Sequence, residues 1–154
     1  MSTTTTDNPA LLDDWLRPLV QAFQPSPRRR LLLDIARALR AGQQLRIRAQ
    51  QNPDGSAYAP RRLRARAQAS GPMFQGLAKA KHLKVRATPN GAGVGYHGRA
   101  AAVARVHHDG LAEPIRPGGP MIQYARRRLL GVTPADRATA QDHLLAHIQG
   151  ATSP

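Results

Sequence analysis

Seventeen Lys and Arg residues fall within residues 28–105, and only Asp34 and Asp54 oppose them there. Half of the chain therefore carries essentially all of its formal charge of +14, and the remainder is close to neutral. Cations at that density cannot be sequestered in a core, and their mutual repulsion works against an isolated compact fold. Two arrangements relieve it: contact with a polyanion, or contact with acidic surface on a protein partner. Either makes the chain one piece of something larger.

A chain of 154 residues has the length of one ordinary domain. With two Phe, one Trp and three Tyr, its core must be built from Leu, Val, Ile and Ala and is thin, so oligomerisation would help it. The absence of cysteine excludes disulfide staples and cysteine-based zinc sites together. No apolar run approaches the roughly 20 residues of a membrane helix, and residues 1–8 lack the parts of a signal peptide. The expectation is a soluble intracellular protein without membrane contact.

Punctuation by proline and glycine divides the chain into a flexible tail (1–8), a single α+β domain (9–150) and a second tail (151–154). Asn8-Pro9 reads as a helix cap followed by proline at the first helical position. Leu12, Trp15, Leu16, Leu19 and Phe23 then recur at helical spacing, with Pro18 predicting a kink or a split. Ser26-Pro27 repeats the start signal. Leu31, Leu32, Ile35, Leu39 and Leu45 are placed on one face, with Arg28, Arg30, Arg37 and Arg40 on the rest. This helix runs to about Gln50, because Asn52-Pro53-Asp54-Gly55 is a dense turn signal, so N-terminal helices occupy 9–51.

Residues 52–72 form a basic loop or a short solvated helix carrying Arg61, Arg62, Arg64 and Arg66. A hairpin and a helix fill 73–110. Leu83-Lys84-Val85-Arg86-Ala87 alternates as a half-buried strand, Pro89-Asn90-Gly91 turns, and Gly93-Val94-Gly95-Tyr96 returns. A short alanine-rich helix over 100–107 stops at Asp109-Gly110. Three prolines and two glycines within 113–120 make 111–125 an extended arm instead of a packed element. Thr133-Pro134 opens a last helix, 134–149, in which Ala138, Leu144, Leu145 and Ile148 are expected to pack. Helices, a small antiparallel sheet and a closing helix define an α+β fold.

The apparent chemical motifs have plainer readings. Gly91-Ala92-Gly93-Val94-Gly95 lacks the helix and acidic residue that make a nucleotide-binding pattern meaningful, and reads as hairpin glycines. His107, His108 and Asp109 point apart on a helix, and no second cluster completes a metal site. The carboxylates are scattered instead of paired, and neither a cysteine nucleophile nor a serine elbow is present, so neither enzymatic activity nor a cofactor is expected. The segment Arg61 to Arg66 reads equally as a solvated face, a set of intersubunit salt bridges, or a polyanion contact. No aromatics are interleaved for base stacking, which favours non-specific phosphate contact over sequence reading.

Four blocks occur in order: Arg46-Ile47-Arg48-Ala49-Gln50-Gln51-Asn52-Pro53-Asp54-Gly55-Ser56-Ala57-Tyr58-Ala59-Pro60-Arg61, then Met73-Phe74-Gln75-Gly76-Leu77, then Ala104-Arg105-Val106-His107-His108-Asp109-Gly110, then Tyr124-Ala125-Arg126-Arg127-Arg128-Leu129-Leu130-Gly131. Over residues 31–148 this arrangement resembles the phage virion morphogenesis family, the tail-completion proteins of Mu-like and related contractile-tailed temperate phages. The first thirty residues lie outside the resemblance. Tyr124 is followed by alanine where related sequences often have proline.

The resemblance implies a structural virion protein, assembled in the host cytoplasm, that completes or terminates the tail at its head-proximal end and helps join tail to head. It further implies a tail-terminator-like subunit that forms a ring with copies of itself, often a hexamer, meeting tail-tube and neck or connector proteins. The matching positions, expected as interface or motif residues, are Asn52, Pro53, Asp54, Gly55, Pro60, Arg61, Met73, Phe74, Leu77, His107, Gly110, Tyr124, Leu130 and Gly131. Arg61, Arg62, Arg64 and Arg66 are the candidates for an acidic partner or phage DNA. A basic protein that binds nucleic acid non-specifically is the alternative.

Overall fold

A computed structural model describes residues 9–61 and 71–152. The chain runs α1 (Pro9–Ala22), α2 (Pro25–Arg48), β1 (Leu83–Thr88), β2 (Gly91–Tyr96), α3 (Gly98–Asp109), β3 (Ala112–Pro114), β4 (Met121–Gln123) and α4 (Pro134–Thr152). Four helices with two separate two-stranded antiparallel sheets make the α+β architecture that the sequence implies.

Helix α1 contains Pro18 and still forms one 14-residue helix. The expected split is absent: proline removes one N–H from the ladder, and the chain breaks instead at Phe23-Gln24. Helix α2 begins one turn signal earlier than Ser26-Pro27, with Gln24 at the N-cap and Pro25 at the first position, where its missing N–H costs nothing.

α2 is the central element, packed against both the β1–β2 hairpin and α4. Leu31, Ala36, Gln43 and Ile47 are its buried residues. Leu45, placed by its spacing on the apolar face, is 64% exposed. At 3.6 residues per turn it lies opposite Ala36, Gln43 and Ile47, which are the positions the core meets in the second half of the helix. A small alanine and a glutamine hold places there that a hydrophobic pattern alone does not reveal.

The β1–β2 hairpin forms where the alternation placed it. Leu83 pairs with Tyr96 and Thr88 with Gly91 around a two-residue Pro89-Asn90 loop. Leu83 is fully buried, Val85 and Ala87 are half-buried, and Lys84 and Arg86 face solvent. The segment expected as an unpaired arm is itself a hairpin, with Ala112 opposite Gln123 and Pro114 opposite Met121. Its prolines sit at a strand end and in the connection, positions that leave the short ladder intact. It remains exposed over nearly its whole length.

Helix α4 opens with a reciprocal cap. The Thr133 hydroxyl accepts from the Asp136 N–H at 3.1 Å, and the Asp136 carboxylate accepts from the Thr133 N–H at 2.9 Å. Ala138, Leu144 and Leu145 do not pack as the sequence suggested: all three are exposed. The covered stripe is Asp136, Thr139, Ala140, His143, His147 and Ile148, mostly polar residues at helical spacing, and Ile148 alone of the expected apolar set is partly covered. The core is thin, as the composition dictates: Ile47, Tyr58, Ala78, Ala104 and Leu129, with Met73, Phe74, Leu77 and Tyr96 packed against it.

Candidate functional site

Residues of the first and last blocks meet. The Asn52-Pro53-Asp54-Gly55 turn closes through Gly55 N–H to Asn52 carbonyl (2.9 Å) and Asn52 N–H to Ser56 carbonyl (2.8 Å). Asp54 accepts from the Ser56 hydroxyl and backbone N–H, and these bonds hold its carboxyl below the usual range. Asn52 Oδ1 accepts from the Arg128 N–H at 2.8 Å, which ties the turn to a segment 76 positions away.

Three residues farther on, Pro53 lies against Gly131 so closely that a Cβ on Gly131 would stand 2.4 Å from Pro53 Cγ. The Gln43 amide pairs with both backbone groups of Gly131, donating at 2.8 Å and accepting at 3.2 Å. Arg46 donates to the Gly131 carbonyl at 2.8 Å and to the Asp136 carboxylate at 2.9 Å. Asp136 is nearly buried and Arg46 largely so. This buried pair also receives the Thr133 hydroxyl and N–H, which satisfies the lone pairs that burial would otherwise strand.

Arg127 organises the other side of the same segment. Its guanidinium, buried, donates to the Ala59 and Pro60 carbonyls, each at 2.8 Å, and its backbone N–H donates to the His107 carbonyl at 2.7 Å. His108 Nδ1 accepts from Leu129 N–H at 3.2 Å, which requires a neutral ring. Burial lowers its pKa in the same direction, with Asp109 opposing and Arg126 and Arg128 reinforcing. Burial also pushes the Tyr58 hydroxyl up to about 12.

The second block enters through an unusual backbone. Among the described residues, Gln50 and Phe74 are the non-glycine ones at positive φ, 59° and 64°. The Gln50 side chain accepts from Met73 N–H at 2.8 Å and donates to Met73 carbonyl at 2.9 Å. The helix end and the Met73-Phe74 turn thereby fix one another, the over-determination that a strained backbone requires. Phe74 then stands edge-on to Tyr58 and His107, and His107 edge-on to Tyr124. His107 Nδ1 is buried without a hydrogen bond, and burial followed by the Arg127 charge lowers its pKa. Gly110, at φ 69°, ends α3 with its N–H on the Val106 carbonyl; a Cβ there would press on Arg126 at 3.0 Å.

Asn52, Pro53, Met73, Phe74, Leu77, His107, Gly110, Tyr124, Leu130 and Gly131 are all at least partly covered, whereas Asp54, Gly55, Pro60 and Arg61 are exposed. Arg62, Arg64 and Arg66 lie outside the described residues. A groove of about 670 Å³ opens where the junction meets the β3–β4 hairpin, with Met73, Phe74 and Tyr124 on one side and Ile115 and Met121 on the other. Arg61 lines it as well. Among the described residues no group of three or more His, Asp or Glu could hold a metal, and no helix is long and apolar enough to cross a membrane.

Sequence reasoning missed Gln43, Arg46, Gln50, Arg127 and Asp136. The Thr133-x-x-Asp136 spacing was a legible cap signal for the last of these. Arg46, Gln50 and Arg127 lie within the blocks already singled out, but nothing in their spacing marks the role each plays, because they and Gln43 bond backbone groups remote in the chain.

Fold and junction define a small α+β protein in which residues of the four blocks hold one another in place. The chain belongs to the phage virion morphogenesis family, whose model matches residues 7–149. It is 37% identical over 142 residues to tail completion protein S of Escherichia phage P2, an alignment covering 89% of this chain and 95% of that relative. No solved structure matches. The family match begins at residue 7, so α1 lies within it, contrary to the expectation that the first thirty residues stand apart.

Proposed function

We propose that this protein is a structural component that completes the tail of a phage at its head-proximal end, without enzymatic activity, and does so as a ring of identical subunits. The observation that carries the reading is the 37% identity to a tail completion protein along nearly the full length of both chains. Two physical features support the oligomeric part. The core is small, and the described residues contain only four ion pairs, two of them between exposed neighbours on one helix at i,i+3 spacing. Most of the cationic surface is therefore left to be matched by something else, as in an assembly whose subunits meet tail-tube and neck proteins.

The decisive experiment removes the gene from a phage that carries it and images the lysate. Tails of abnormal length, or tails standing apart from filled heads, restored by supplying the gene in trans, are expected. Normal virions without the protein would overturn the reading. Non-specific DNA contact has one observation in its favour: Lys84 and Arg86 both project from the solvent face of β1 without an acidic partner among the described residues. Duplex binding that falls steeply with salt, and falls again in Lys84→Ala/Arg86→Ala, supports it; indifference to both removes it.

A further inference from the structure

Two unpartnered apolar surfaces lie on different elements of the chain. The first is the leading half of α1. Leu12, Trp15, Leu16 and Leu19 share one stripe, but only its trailing part, Leu16 and Leu19, is partly covered, where the helix packs on α4. Leu11 and Leu12 stay exposed, and Trp15 is 65% exposed. The second is the groove beneath the β3–β4 hairpin, where Ile115 is exposed and Met121 is 65% exposed beside Phe74 and Tyr124.

Their charges are opposite. Asp13 sits among the exposed apolar residues of α1 without an ion-pair partner among the described residues, whereas Asp14 is paired with Arg17, the one cation of that helix, at 2.7 Å. Arg61 lines the groove, Arg116 lies in the connection between β3 and β4, and none of the described carboxylates pairs with either. An acidic-flanked tryptophan helix and a cationic, methionine- and aromatic-lined groove are complementary in both shape class and sign.

We propose that the leading half of α1 from one copy seats in the arm groove of the next, with Trp15 as the buried anchor and Asp13 facing Arg61 and Arg116. The contact joins two different patches, so it is heterologous. It propagates from copy to copy and closes into a ring when the rotation allows, which a self-complementary patch cannot do. The inference rests on the ring reading above and names the surfaces that would make it.

The chain has no cysteine, which makes cross-linking a clean test. Leu11→Cys and Met121→Cys, which leave Trp15 in place, are prepared as separate single variants of the full chain and oxidised alone and mixed. A disulfide dimer that forms only in the mixture, and a ladder of covalent oligomers from the double variant, are expected. Leu11→Cys joining only to itself overturns the contact, as does absence of a mixed product at concentrations where light scattering shows oligomers, or a monomer at every concentration. Trp15→Ala is expected to weaken self-association by about 30-fold, the loss typical of a central tryptophan anchor. Asp13→Lys should weaken it too and be rescued by Arg61→Glu/Arg116→Glu; failure of the rescue would assign the charges elsewhere and overturn the proposed register. None of these outcomes bears on tail completion itself, which stands or falls on the gene-removal experiment.

Discussion

The junction around Gly131 and the hairpin around Met121 belong to one short stretch of chain, yet they use their side chains in opposite ways. Around Gly131 almost every polar group is answered from within: Gln43, Arg46, Asn52 and Arg127 all bond to remote backbone. Around Met121 the ladder is three residues long and large apolar side chains stand in solvent. The first region has the signature of a framework that must keep one geometry. The second has that of a surface awaiting a partner. Most of the block residues belong to the framework, and the exposed apolar side chains of the hairpin lie beside it.

The contrast breaks most visibly at the buried ion pair. Asp136→Ala strands Arg46 and uncaps α4, and should cost about 3–5 kcal/mol in urea unfolding. If the loss is small, Arg46 has reached solvent and the junction is less rigid than its hydrogen bonds indicate. Next in size is Gly131→Ala, whose new methyl meets Pro53 and should cost about 1–3 kcal/mol. Pro53→Ala should recover part of that loss in the double variant, since the two side chains compete for one space; strict additivity would show that they do not.

A smaller effect comes from pH. His107 and His108 both have folded pKa values lowered by burial. A group depressed in this way contributes its full stability above the unfolded value, about 6.5, and loses it as the pH falls through that value toward the folded one. The melting temperature should therefore drop between pH 7.5 and 5.5, and drop less in His108→Gln; an unchanged or rising Tm over that range contradicts the neutral assignment. Smallest of all, Trp15→Ala and Met121→Ala should each change the unfolding free energy of the monomer by no more than about 0.5 kcal/mol, as exposed side chains do. A large loss from either would mean that these surfaces already serve the isolated fold.

Much of the scaffold was legible. The β1–β2 hairpin follows from alternation around Pro89-Asn90, the end of α3 from Gly110, and the start of α4 from Thr133-Pro134. What failed did so for identifiable reasons. Leu45 and Leu145 looked like core because leucine at helical spacing normally is. The arm paired as a hairpin because three residues of ladder suffice once the chain doubles back, with Pro114 at the last position of its strand and Pro117 and Pro120 in the connection. Most of the covered stripe of α4 went unseen because it is written in Asp, Thr, Ala and His, with Ile148 its one legible apolar member.

By itself, then, the sequence determined the local elements, the family, and the excess of cations that demands company, because these depend on spacing, turn chemistry and composition along the chain. Only the tertiary structure decided that Pro53 meets Gly131, that Gln50 holds Met73, and that half of α1's apolar stripe is left uncovered. Each of those facts is a contact between segments distant in sequence, or the lack of one. Hydrogen bonds to remote backbone and close approach of two chains leave no periodic trace in the residues that make them.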